Sequence, residues 1–272
     1  MKKLATALVS AAAIMTMSTT AFAAENPAEV FDRVMEKNNT IQSAEIQSGV
    51  HSVILAKDVI PDGQMKVDMA MHAEMDMQDT TDLKYLAQVA SSILGQDSYS
   101  QVFYTDGYYY VDANGVKLKY PMPLEQILFR TDPLAGSGYH GRHLSSYMKG
   151  ISLNEVNGKR VLAYEANPKK LNKNVKEALG TVMNTLGTDV NLDMNIQEMK
   201  GAYVLDDNDY IIYMTNYIVY NMEVLDQPMT CITLMETEVQ NPGEPVVVTL
   251  PSTDGYEDLI GLYDGVIESE VE

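Results

Sequence analysis

The chain has one cysteine, Cys231, no tryptophan and only four histidines. A single cysteine closes no internal disulfide, so the fold must rest on a packed core. Four imidazoles and one thiol are also thin material for a metal centre. His140 and His143 lie three apart, and His51 and His72 fall on neighbouring predicted strands, but no Cys or Asp cluster completes a set of three or four ligands. Asp206 to Asp209 offers oxygen ligands without the length and glycine of a calcium loop, and it reads as a solvated turn. No metal and no cofactor are expected. Cys231 has alternating strand neighbours and no nearby His or Lys, the setting of a buried inert thiol. No Gly-x-Ser-x-Gly elbow or phosphate loop is present. Among 38 acids chance carboxylate pairs are inevitable, so none stands out as an acid/base dyad, and the chain is expected not to be an enzyme.

Positive charge is scarce too. Nineteen Lys and Arg face 38 Asp and Glu, a net of −19. Such a surface disfavours nucleic acid and anionic lipid headgroups through long-range charge. Past the first residues, no apolar run approaches the ~20 residues of a membrane span. The start itself has Lys2 and Lys3, an apolar stretch from Leu4 to Met17, and the small-x-small end Ala21-Phe22-Ala23. That is the pattern of a secretory signal peptide over residues 1–23. It predicts a secreted protein, periplasmic if the source has an outer membrane. No cysteine stands at the cleavage site to take a lipid, so no lipid anchor is expected.

Methionine is what the chain has in plenty. From Met65 to Met77 the sequence alternates without a break. Met65, Val67, Met69, Met71, Ala73, Met75 and Met77 point one way, and Lys66, Asp68, Ala70, His72, Glu74 and Asp76 the other. Period two is the signature of a strand with one apolar and one wet face. At ~3.3 Å per residue these thirteen positions span roughly 43 Å, which is long for a strand. Methionine is unbranched and polarizable, suited to surfaces that accept varied apolar partners or to a soft sheet core.

Asn26-Pro27 opens a helix to about Thr40, with Val30, Val34 and Ile41 in its stripe. Ser43 to Ala56 alternates, and Pro61-Asp62-Gly63 turns it into the methionine strand. Thr81 to Leu94 reads as a short helix. Tyr99 to Tyr104, Tyr108 to Val111 and Lys117 to Tyr120 read as strands joined by Asp106-Gly107 and Asn114-Gly115. A helical turn follows from Pro123 to Phe129, then a loop from Thr131 to Arg142. Ser145 to Val156 and Arg160 to Ala166 flank the hairpin turn Asn157-Gly158. Asn167-Pro168 opens a second helix with an apolar stripe from Leu171 to Leu186, and Lys169, Lys170, Lys173 and Lys176 form its solvated face.

Three long strands follow, from about Asp189 to Leu205, Tyr210 to Val224 and Met229 to Val239. In the first, the inward phase switches between Ile196 and Met199, which predicts a bulge near Glu198. In the second, Ile212, Met214, Ile218, Tyr220, Met222 and Val224 share a face interrupted by Asn216. Val246 to Leu250 reads as a last strand, and Tyr256 to Ile267 as a short helix in an acidic tail over 252–272. The sum is an α+β fold, a large curved antiparallel sheet with helices packed on its concave face, in one domain over 24–251.

Three segments carry a family resemblance: Met69-Ala70-Met71-His72-Ala73-Glu74-Met75-Asp76, the hairpins from Tyr104 to Asp112 and Gly115 to Tyr120, and Val247-Val248-Thr249-Leu250-Pro251. With the order of elements, they make the chain resemble the LolA-like lipoprotein-carrier superfamily, which includes the mycobacterial LppX and LprG lipid carriers. It is most similar there to uncharacterised secreted or lipid-anchored proteins of Gram-positive bacteria. The resemblance implies a half-barrel that holds lipid on its concave face. Lipid-anchored members carry a cysteine at the cleavage site, and this chain has alanine there, which argues against a membrane-tethered role. The expected ligand is a hydrophobic or amphiphilic small molecule. Its expected contacts are Met65, Met69, Met71, Met75 and Met77, with Ile212, Met214, Ile218 and Met222 across the sheet. The alternative is a cavity-free module that binds a cell-envelope protein, as relatives in envelope-stress sensing do.

Overall fold

The computed structural model describes residues 25–56, 60, 62–79, 83–122, 144–173, 194–224 and 227–258. The expected signal peptide, the helical turn expected at 123–129, the expected loop with His140 and His143, most of the expected lysine helix and the end of the acidic tail lie outside these residues.

Among the described residues, twelve strands form one open, curved sheet. They are β1 (Ser43–Leu55), β2 (Gln64–Asp76), β3 (Lys84–Ile93), β4 (Gln96–Thr105), β5 (Tyr108–Ala113), β6 (Val116–Pro121), β7 (Met148–Val156), β8 (Lys159–Ala166), β9 (Met194–Leu205), β10 (Ile211–Val224), β11 (Gln227–Gln240) and β12 (Glu257–Asp258). Their order is β12-β6-β5-β4-β3-β2-β1-β11-β10-β9-β8-β7. Two antiparallel meanders therefore meet where β1 pairs with β11, and only the short β12 runs parallel to its neighbour. The two halves of the chain are welded at the centre of the sheet by its first long strand.

Among the described residues, four two-residue turns have both residues at positive φ: Leu94-Gly95, Asp106-Gly107, Asn114-Gly115 and Asn157-Gly158. That conformation matches the right-handed twist of the strands it joins. Three are the Asx-Gly dipeptides anticipated above. The fourth explains a correction. The segment expected as a helix over Thr81 to Leu94 holds strand β3, which turns at Leu94-Gly95 into β4. Its apolar residues are split between two buried faces: Leu86 packs with Phe103 on one side, while Tyr85 packs beside Met77, Leu83 and Tyr104 on the other. Burial on both sides erases the period-two signal. Leu94 holds φ +53° and is exposed, so it bears left-handed strain without any burial to offset it. Leu94→Gly is expected to raise stability by ~1 kcal/mol, read as a higher urea midpoint at unchanged m-value.

The bulge expected near Glu198 is present. Val219 pairs with Glu198 and Tyr220 with Ile196, which leaves Gln197 unpaired. A second bulge was not anticipated: Ile211 pairs with Leu205 and Tyr213 with Val204, so Ile212 is the extra residue. Val246 to Leu250 forms no ladder, contrary to expectation. It crosses the sheet, with Val246, Val248 and Leu250 packed on the Leu86, Phe103 and Tyr110 cluster. Tyr256 joins the same cluster edge-on to Phe103 and Tyr110, and the next two residues form β12 rather than the start of a helix.

Helix α1 (Pro27–Asn38) starts as its sequence demands, with Asn26 accepting from the Ala28 N–H at 3.1 Å and Pro27 in the first turn. Its Val30, Phe31 and Val34 are buried against Leu153, Leu162, Tyr164, Leu205 and Ile211. Polar contacts pin it to the β9–β10 turn. The Asn38 amide donates to the Asp209 carbonyl at 3.0 Å and accepts from the Ile211 N–H at 2.9 Å. The Arg33 and Arg160 guanidiniums share the Asp209 carboxylate, at 2.9 and 2.5 Å. A second helix opens at Pro168 and is described over 168–173.

Candidate functional site

Strand register decides which side chains share a face. Met71 pairs with Ser48, Ser48 with Thr237, Thr237 with Met214, and Met214 with Tyr203. Paired residues point to the same side of a sheet. The methionines of β2 therefore share one face with Met214, Ile218 and Met222 of β10, across β1 and β11. Tyr203 on that face packs against Phe31 of α1, with ring centroids 6.1 Å apart. Helix α1 thus covers the β7–β10 end of the methionine face.

The expected contact residues fall into three groups. Met65, Met71, Met75, Met214, Ile218 and Met222 are half-buried, and Met69 is 39% exposed. Met77 is instead buried with Leu83, Tyr104 and Met122. Ile212 is the bulged residue, and its neighbour Ile211 takes the place in the face, buried under α1. The two isoleucines are adjacent and identical, so nothing local marked which would turn inward. Sequence reasoning also missed the row that continues from Met75: Tyr85, Tyr104, Tyr109 and Tyr120, paired in turn across β3 to β6. Burial pushes the Tyr85 hydroxyl up to about 12, with the Tyr109 hydroxyl adding to it, so this end stays neutral. Reading Thr81 to Leu94 as a helix hid this row.

The middle of the face is not purely hydrocarbon. Ser48 bonds Thr237 at 2.8 Å and Ser52 bonds Thr233 at 3.0 Å, hydroxyl to hydroxyl across β1 and β11. Because these groups satisfy one another, covering them with an apolar chain costs little. Asn216 is buried and takes a hydrogen bond from the Tyr164 hydroxyl, which reaches it over Gly201. This is the polar interruption seen in the β10 pattern.

The opposite face carries ionisable groups. His51 bonds Asp68 at 2.7 Å, and His72 bonds Glu45 at 3.2 Å. Glu236 is buried there and accepts from the Tyr213 hydroxyl at 2.6 Å. Burial and that bond push the Tyr213 phenol above its ordinary range. A recess of about 300 Å³ lies among His51, Val53, Lys66, Asp68, Ile232 and Leu234. Among the described residues no three of His, Cys, Asp and Glu gather closely enough to hold a metal ion. No described helix is long and apolar enough to cross a membrane.

A family of unknown function, DUF6612, has a model that matches residues 26–251. The chain belongs to this family. No curated protein matches it. Among solved structures, the DUF6612 chain is similar to LprF from Mycobacterium bovis, at 11% identity and a TM-score of 0.36, over 83% of this chain and 97% of that one. It is also similar to a beta-barrel-like DUF1849 protein from Brucella abortus, at 11% identity and 0.26, over 74% and 100% of the chains. A DUF1329 family protein from Desulfovibrio piger follows at 10% identity and 0.23, over 82% and 93%. None of these likenesses is close enough to carry a function to the DUF6612 chain.

Proposed function

We propose that this chain is a secreted, non-enzymatic binding protein that holds a lipid or other amphiphile against its methionine face. The observation that carries the reading is the state of that face. Met65, Met69, Met71 and Met75 stay partly exposed in a row that continues through Met214, Ile218 and Met222, and the hydroxyls between them are already paired. Burying such surface under an acyl chain gains ~25 cal/mol per Å² and breaks no hydrogen bond that must be replaced. Methionine side chains adapt to chains of differing shape. The net charge of −19 favours an uncharged or cationic headgroup over an anionic one. The resemblance of its order of elements to the LolA-like carriers supports this use of the sheet.

The test is native mass spectrometry of the purified chain, followed by uptake of a fluorescent amphiphile. A co-purifying lipid mass is expected. Met71→Asp places a charge in the row and is expected to reduce uptake by about tenfold or more while the far-ultraviolet circular dichroism stays native. A clean protein mass with no uptake would overturn the reading and favour a protein-binding module.

A further inference from the structure

Four sulfur-bearing side chains gather at one end of the same face. Cys231 is 2% exposed, and its thiol donates to the Met222 sulfur at 3.7 Å. Met222 pairs directly with Met229 on β11 and with Met194 on β9. Met229 is two residues before Cys231 and so shares its face. Three thioethers therefore stand in one cross-strand row, with a buried thiol diagonal to the middle one. Paired residues in such a row have Cα atoms ~4.5–5.5 Å apart, well within the reach of unbranched side chains that rotate freely.

The surroundings select the chemistry. Cys231 faces Ile54 on β1 and Tyr220 on β10, and Ile54 faces Met65 in turn. On this side of the sheet, none of the cross-strand partners of Cys231 and Met222 is a carboxylate or an imidazole. Hard cations find no oxygen cage here, and zinc finds no second thiolate or imidazole. Thiolate with thioether is the donor combination that soft copper(I) prefers. The separation of the Cys231 and Met222 sulfurs fits as well. Two sulfurs each about 2.3 Å from one ion, and 3.7 Å from each other, subtend about 107° at it, close to a tetrahedral angle.

We propose that Cys231 and Met222, with Met229 and Met194, form a binding site for one soft monovalent cation, copper(I) or silver(I). Binding involves no redox change. The ion takes the place of the thiol proton, which leaves to solvent, while the methionine sulfurs donate neutral lone pairs. This site shares Met222 with the amphiphile face, but it rests on the sulfur contact and not on exposed apolar surface.

Silver(I) tests the site without a reductant, and copper(I) held reduced by ascorbate can then be titrated against a chromophoric chelator. Native mass spectrometry of the full chain is expected to show one retained ion. Cys231→Ala is expected to abolish retention, and Met222→Leu, which keeps the volume, to weaken it by about tenfold or more. Met148→Leu, on β7, is expected to bind like the wild type, with copper(I) absorption edge spectra showing sulfur neighbours only. No retained ion, or unchanged retention in both Cys231→Ala and Met222→Leu, would overturn the proposal.

Discussion

Gly201→Ala is expected to cost about 4 kcal/mol, a large share of the stability of an ordinary domain. Gly201 lies on β9 between Tyr164 and Asn216, its partners on either side. A Cβ there would sit 2.5 Å from the Thr215 carbonyl oxygen, 2.5 Å from Asn216 Oδ1 and 2.8 Å from the Tyr164 hydroxyl. The first of these is backbone inside a sheet ladder, so it cannot swing away. Relief requires β9 and β10 to part, or the Tyr164 to Asn216 bond to break and leave a buried amide unpaired. Overpacking of this kind costs ~1–3 kcal/mol, and an orphaned buried polar group another ~1–3. Gly150→Ala is the matched control: its Cβ would meet nothing within 4 Å. Urea unfolding should show a large drop in midpoint for the first substitution and a change within ~0.5 kcal/mol for the second. A loss below about 1 kcal/mol at Gly201 would mean that Tyr164 does not lie over it.

Asp209→Asn is expected to cost about 2–3 kcal/mol at neutral pH, and the loss should vanish in acid. The Asp209 side chain is only 16% exposed. Its burial alone would raise the carboxyl, but the hydrogen bonds from Arg33 and Arg160, and their charges, outweigh that and hold it below the ordinary value. A carboxyl depressed in the folded state contributes stability that is fully present above its unfolded value near 4. That contribution disappears as pH falls through the lower folded value. Wild type and Asp209→Asn should therefore differ most above about pH 5 and converge at lower pH. Asparagine is the right substitute because residue 209 has φ +66°, which asparagine tolerates and alanine does not. Arg33 is half-exposed and adds little by itself, so the effect resides mainly in the pair with Arg160, whose side chain is 24% exposed. A pH-independent difference would instead point to turn geometry.

Much of the fold was legible locally. The alternation from Met65 to Met77 gave β2 and its two faces, and the Asp-Gly and Asn-Gly dipeptides gave three of the four positive-φ turns among the described residues. The phase slip between Ile196 and Met199 gave a bulge, because period two leaves no other way to keep both halves inward. What was missed has common physical causes. Strand β3 is apolar on both sides and lost its period. Ile211 and Ile212 are chemically alike, so the bulge between them left no trace in the pattern. Val246 to Leu250 alternates like a strand, but pairing depends on a free ladder, and its place in the fold is across a face.

The sequence by itself determined which side chains of each strand face together, since that follows from the alternation of Cβ atoms along one chain. Only the tertiary structure decided which strands lie side by side. The order β2-β1-β11-β10-β9 brings Met71 into line with Met214, lays Tyr164 across Gly201 onto Asn216, and sets Met222 between Met229 and Met194 beside Cys231. These neighbours are far apart in the chain or belong to different strands. Their meeting is fixed by strand order and register, which depend on how the whole sheet buries its faces and not on any local pattern.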